Sequence, residues 1–215
     1  MPQRFFQLPK KSRAHLNSTR KTKEKQKKMA ASSDVQPIAK PVPHVIPKTL
    51  FLLCGLPGSG KTTFAKKLSD TFLFDWLSQE EHCGKNRKIF NSNFEEKLRF
   101  MKKHFVIDRC NHSKEQRNYF IQWAKRYNIP VVVIVFNFSV EECEINIDKR
   151  IRSGKVHPSI NNLKTAREAL DCIKTQFEFP ELSEGIGRIY QCNSFEEIDE
   201  RFEILKAVAM SSFSK

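Results

Sequence analysis

The run "KTLFLLCG" (48–55) is of strand length, shows no polar alternation and stops at a glycine. The next stretch, "KTTFAKKLSDTF", changes period: Phe64, Leu68 and Phe72 recur every fourth residue, which predicts one face of a helix. "HFVIDR" (104–109) and "VVVIVFNF" (131–138) are β-branched runs too short for helices. Their lack of alternation predicts strands covered on both faces, as in a parallel sheet. Between them, "SKEQRNYFIQWAKRY" opens with Ser113 and Gln116 in capping-box spacing and places Phe120, Ala124 and Tyr127 on one side. Ser139 and Glu142 predict the cap of a helix carrying Val140, Cys143, Ile147 and Ile151. Ser194 and Glu197 do the same for Ile198, Phe202, Leu205 and Ala209. Residues 162–177 read as a further helix and "GRIYQC" (187–192) as a final strand. Strands alternating with helices of ten to fifteen residues mean βαβ units with right-handed crossovers. The expected fold class is α/β, a three-layer sandwich of a mostly parallel sheet with helices on both faces.

Composition changes this picture mainly at the N-terminus. The chain of 215 residues carries a formal charge of +14, of which residues 1–48 supply +10. "PKKSRAHLNSTRKTKEKQKK" (9–28) has dense like charge and few apolar residues, so ordering it would bury too little surface to offset the entropy lost. "PIAKPVPHVIPK" (37–48) holds four prolines and reads as an extended linker. Residues 1–48 are therefore expected to be a disordered basic tail and Pro-rich linker, with the folded domain over 49–215. Such a tail suits a nuclear-import signal or a nucleic-acid tether, against the plainer reading of a solubilising arm. That favours the nucleus over the cytoplasm, and its dominance by lysine argues against a mitochondrial presequence. No apolar window is long enough to span a bilayer and no secretory signal is visible, so no membrane association is expected. The six cysteines contain no C-x-x-C pair and fall mostly in apolar segments, as reduced core thiols of an intracellular protein would. The adjacency of His82 and Cys83 is poor metal geometry.

Chemistry enters at "GLPGSGKT" (Gly55–Thr62), which satisfies G-x-x-x-x-G-K-[ST] after a predicted strand and before a predicted helix. Glycines at 55, 58 and 60 let successive backbone N–H groups converge on phosphate oxygens, and the following helix adds its positive end. The loop Gly55, Pro57, Gly58, Ser59, Gly60, Lys61, Thr62 and Thr63 is thus the expected ATP cradle. Lys61 would bridge the outer phosphates and Thr62 would ligate Mg²⁺. No N-K-x-D segment reads a guanine base, and the domain lacks the extra modules of motor ATPases. The motif alone does not name the reaction, since ATPases, GTPases and small-molecule kinases share it.

The segment "FVIDRCNHSKEQRNYFIQWAKR", with the phosphate loop and "ELSEGIGRIY" (181–190), resembles the P-loop kinase domain of polynucleotide 5′-hydroxyl kinases. The likeness is strongest to a branch with an "IDRCN…QR" element akin to kinase domains accompanying aprataxin-like proteins, and it runs from about Leu50 to Tyr190. The resemblance implies transfer of the ATP γ-phosphoryl group to a 5′-hydroxyl of RNA or DNA. It implies Asp108 as a carboxylate acting on Mg²⁺, Arg150 as the lid arginine on the β/γ-phosphates, and Arg109, Asn111 and Arg117 as acceptor-phosphate contacts, Arg117 being equally readable as an exposed helix residue. It places Glu80 of "WLSQEEHCGKNR" (76–87) where the family carries an aspartate base. Asp75 is the second candidate and Arg87 a further acceptor contact. Asn146 stands where relatives often carry an arginine, which would weaken the lid. The alternatives are a nucleoside or small-metabolite kinase, or a degenerate kinase that binds ATP and nucleic acid without turnover. Neither a phosphatase D-x-D-x-T signature nor a His-rich hydrolase motif occurs, so any second end-processing activity would come from a protein partner.

Overall fold

Among the described residues the chain forms five strands and seven helices, three of which the hydrophobic pattern did not announce. The computed structural model describes residues 47–71, 73–84, 86–154 and 160–211. The tail over 1–46 and the turn over 155–159 therefore lie outside the described residues, as does Phe72. In chain order the elements are β1 (Leu50–Gly55), α1 (Lys61–Asp70), β2 (Phe74–Ser78), α2 (Gln79–Cys83), α3 (Arg87–Arg99), β3 (His104–Asp108) and α4 (Lys114–Arg126). β4 (Val131–Phe136), α5 (Val140–Arg152), α6 (Leu163–Thr175), a 3₁₀ turn (Leu182–Glu184), β5 (Arg188–Cys192) and α7 (Phe195–Ser211) follow.

The sheet is parallel throughout in the order β2-β3-β1-β4-β5. β1 pairs with β3 on one side and β4 on the other, and all six of its residues are buried. Its alternate side chains feed two cores. Phe51 and Leu53 pack with α1, α5, α6 and α7, whereas Leu50, Leu52 and Cys54 pack with α3 and α4. The expected α/β sandwich is the observed one.

The unannounced elements are β2, the short α2 and α3. α3 buries Phe90, Phe94 and Leu98, one residue per turn, and each burial stabilises the fold by about 1.5–3 kcal/mol. Two further corrections concern α4 and the cysteines. Tyr127 is the exposed C-terminal cap of α4, stacked at 6.3 Å on Trp123, and the inward stripe is Arg117, Phe120, Ile121 and Ala124. Only Cys54, Cys143 and Cys192 are buried, and Cys172 is exposed. Among the described residues, no helix is long and apolar enough to cross a membrane.

Caps set the helix starts. Ser113 Oγ accepts from Gln116 N–H at 3.3 Å, Ser194 Oγ from Glu197 N–H at 3.2 Å, and Ser139 with Glu142 forms a full capping box. Because every strand points the same way, β1 through β5 end on one edge of the sheet. Ligands of open parallel sheets bind outside that edge, where the chain reverses its order of winding, and here β1 lies at that point.

Candidate functional site

The loop between β1 and α1 closes on itself before it meets any ligand. Lys61 is buried, and its Nζ donates to Leu56 O at 2.6 Å and Ser59 Oγ at 3.3 Å. Gly60 caps α1 with φ 96°, a left-handed turn that brings the unbonded first amides of the helix to the loop. Two glycines have a reason other than the one their spacing suggests. A Cβ on Gly58 would lie 2.5 Å from Cys143 O, and one on Gly55 would lie 2.7 Å from Phe136 O. Close packing against α5 and β4 demands glycine at both positions. The Gly55 N–H, moreover, is taken by Cys110 O at 3.0 Å, which removes it from the cradle. Ser59 is wholly buried beneath the loop. Asn146 Nδ2 donates to Gly58 O at 3.2 Å, so the residue standing in for an arginine ties α5 to the loop instead.

A cleft of about 750 Å³ opens beside this loop, lined by Pro57, Gly58, Gly60, Lys61, Thr62 and Thr63. Asp108, Glu80 and Arg150 line it as well, brought by the ends of β3, β2 and α5. Asp108 is 5% exposed, and burial raises its carboxyl above the ordinary value; the Lys61 ammonium and the Thr62 and Ser78 hydroxyls oppose that rise. Its Oδ2 is buried without a hydrogen-bond partner, as are Nε and NH2 of Arg150. Burial lowers the Arg150 pKa, partly offset by the negative charge of Glu80. Glu80, exposed on α2, acts electrostatically on Asp108, Arg109 and Arg150 alike. Its neighbour Glu81 turns to Lys66 at 2.9 Å, and Asp75, inside β2 opposite Phe105, does not reach the cleft. Arg152 is exposed and paired with Asp148 at 2.8 Å, so the cations at the end of α5 that line the cleft are Lys149 and Arg150.

The donor set fits a nucleotide with its magnesium ion. A hydroxyl at Thr62 beside a buried carboxylate with an unpartnered oxygen is oxygen chemistry suited to Mg²⁺, which keeps most of its waters.

The expected acceptor residues separate. Arg109 lines the cleft and rests on the rings of Phe90 and Phe120 at 5.4 and 5.9 Å. Burial, reinforced by the like charge of Arg87, lowers its pKa to about 10. Arg87 is exposed at the first turn of α3, outside the cleft wall. Asn111 and Arg117 correct the expectation. Asn111 is fully buried at φ 44°, and its Nδ2 donates to Leu53 O at 2.8 Å. Arg117 has no exposed surface and is neither a phosphate contact nor a solvated helix residue. Its Nε and NH2 meet both oxygens of Glu184 at 2.9 and 2.7 Å, while NH1 donates to Asn111 O and Glu178 O at 3.1 and 2.8 Å. Asn111, Arg117 and Glu184 thus tie the "IDRCN…QR" and "ELSEGIG" segments into one buried knot behind the site.

Sequence reasoning missed His112, Gln116, Lys149 and Phe195, all of which line the cleft. The signal existed for Phe195: it follows the Ser194 cap directly at the carboxyl end of the last strand, where a parallel sheet places its ligands.

Residues 50–180 match the AAA domain family. No curated protein matches the sequence. Kti12 of Chaetomium thermophilum, solved in complex with ADP-AlF3, superposes with a TM-score of 0.54 at 16% identity, over 74% of this chain and 98% of that one. A fungal RNA kinase superposes with a TM-score of 0.58 at 16% identity, over 78% and 89%. At such identities the likeness carries the fold alone. The family match spans more than half of the chain and covers the loop, the cleft lining other than Phe195 and four of the five strands, so this chain belongs to the AAA domain family and has its P-loop kinase-like fold.

Proposed function

We propose that this protein is an ATP-dependent kinase that transfers the γ-phosphoryl group to a 5′-hydroxyl of a polynucleotide. One observation carries the reading: a single cleft gathers the Lys61 loop, the buried Asp108, the Arg150 guanidinium with its Nε and NH2 unpartnered, and a surface carboxylate, Glu80. Phosphoryl transfer asks for these parts and little more: a phosphate cradle, charge neutralisation and an acid–base group for the alcohol. The name of the fungal RNA kinase of similar fold agrees with the acceptor class.

The loop amides and Lys61 hold the phosphates, Lys61 exchanging its bond to Leu56 O for phosphate oxygens. Thr62 and Asp108 hold the Mg²⁺ site, and Mg²⁺ when bound neutralises charge on the β- and γ-oxygens. Glu80 accepts the proton of the 5′-hydroxyl, whose oxygen bonds to the γ-phosphorus as the bond to the β-phosphate oxygen breaks and ADP leaves. Arg150 offsets the charge that develops on the transferring group. Arg109, held by two aromatic rings beside the like-charged Arg87, gains most from an anionic acceptor, which is why a polynucleotide fits better than a free nucleoside. The basic tail adds a tether to the same polyanion and an address in the nucleus, with any phosphatase step left to a partner protein.

The test is transfer of label from ATP to 5′-hydroxyl RNA and DNA oligonucleotides, side by side with a free nucleoside. Transfer to an oligonucleotide that disappears in Lys61→Ala supports the proposal. Label on the nucleoside alone would make this a nucleoside kinase. Nucleotide binding with no transfer at all would favour binding without turnover, the reading to which Asn146 in place of a second lid arginine lends weight.

A further inference from the structure

Nine large apolar side chains are exposed among the described residues, and Phe195 alone of them lines the cleft. It is 46% exposed, yet it is not loose. Its ring packs at 4.7 Å and 37° on Phe138, itself buried, so one aromatic face is backed by the core. An added Cβ on Gly60 would lie 3.4 Å from Phe195 Cε1, which puts the ring against the turn that opens α1. The chain before it is held rigidly: Asn193 Oδ1 accepts from Asn137 Nδ2 at 2.9 Å, and the Asn193 N–H donates to Glu197 Oε2 at 2.7 Å. Ser194 then caps α7.

Sheet order fixes which part of a nucleotide lies there. Glu80 and Asp108 follow β2 and β3, on one side of β1, and Phe195 follows β5, on the other. A triphosphate in the loop after β1 with its γ-end toward Glu80 must trail its nucleoside toward β4 and β5. We infer that the base of the donor nucleotide stacks on Phe195 and is held by its face rather than by its edge. The inference rests on reading residues 55–62 as a triphosphate cradle. A pre-positioned ring loses little entropy on binding, and base–aromatic stacking is worth roughly 5- to 150-fold in affinity while tolerating any base, since every base has a π-face.

Calorimetric titration of the full chain with ATP, GTP and tripolyphosphate, each with Mg²⁺, tests this. Wild type is expected to bind ATP and GTP within tenfold of each other. F195A and F195L, the latter keeping apolar packing on Phe138, are expected to weaken both nucleotides at least fivefold and to leave tripolyphosphate within twofold. F195W is expected to bind ATP as wild type does. A smaller loss of nucleotide affinity in F195L, an equal loss for tripolyphosphate, or discrimination between ATP and GTP beyond tenfold overturns the inference. Failure of wild type to bind either ATP or tripolyphosphate sinks the cradle itself, and this inference with it.

Discussion

Two carboxylates share the cleft in opposite circumstances, and their environments set what each can do. Glu80 is exposed on the surface of the cleft, whereas Asp108 is 5% exposed behind the loop. If Glu80 is the proton acceptor proposed, it should act on the chemical step and scarcely on nucleotide binding. Glu80→Gln is expected to lower single-turnover transfer by about 100-fold or more and to leave the ATP Kd within a factor of about three. Similar losses in both would assign Glu80 to binding instead. Asp108 carries an expectation of the other kind. Burial raises its folded pKa above the ordinary 3.8, so the stability it contributes is present below that value and is lost as pH rises through the folded pKa. Above the folded pKa the charged form therefore costs stability in the nucleotide-free protein. Asp108→Asn is expected to raise the melting midpoint of the nucleotide-free protein by about 2–4 °C per kcal/mol relieved, while abolishing stabilisation by added MgATP. A midpoint that falls would show that the Lys61 charge and the hydroxyls of Thr62 and Ser78 outweigh the burial.

The start of α4 and the 3₁₀ turn are joined by the Arg117–Glu184 pair, whose side chains are 0% and 3% exposed. Breaking one partner of such a pair strands a buried charge, and Glu184→Ala is expected to cost about 3–5 kcal/mol in urea unfolding. Replacing both, as Arg117→Met with Glu184→Leu, should recover most of that loss; a double variant as unstable as the single one would mean that the carbonyl bonds of Arg117 matter more than its ion pair. This knot also shows what a sequence conceals. The strands rich in Val and Ile are plain in the pattern because they are covered on both faces, and the phosphate loop is plain because few glycine-rich turns have a strand before and a helix after them. β2 is not, since "FDWLS" is an edge strand whose Asp75 and Trp76 are half-exposed, so it shows neither an apolar run nor a clean alternation. α3 has its stripe at Phe90, Phe94 and Leu98, but the exposed Ile89 beside Phe90 blurs the period. Arg117 occupies an inward position one turn before Phe120 and Ile121, yet its carboxylate partner is 67 residues away, and no local pattern announces that pairing. Among the site residues, those fixed by local geometry, Lys61 to Thr63 and Asp108, fall in the cleft as expected. Asn111 and Arg117 do not, because motif spacing records their importance without distinguishing support from contact.

At the scale of the whole molecule, charge is divided between two tasks. Residues 1–48 hold +10 of the +14, while the rest of the chain, which contains the cleft, is close to balanced. If the tail serves as a tether, it should govern how tightly a polynucleotide is held and leave the chemistry at the cleft alone. Each phosphate neutralised on a single strand contributes about 0.7 to the slope of log affinity against log salt, through counterion release. Removing residues 1–46 is therefore expected to flatten that slope by about 2 or more for a single-stranded 20-mer, equivalent to at least three phosphate contacts. A short acceptor reaches only the cleft, through Arg109, so its turnover at saturation should stay within a factor of about two. The decisive comparison is between the two acceptors at 50 and 200 mM salt. A tail that contacts nucleic acid separates them, with the long acceptor losing affinity in the truncated protein and the short one unaffected. Equal slopes for the full and truncated chains would leave the arm no part in substrate capture, and the polynucleotide reading would then stand on Arg109 and Arg87 alone.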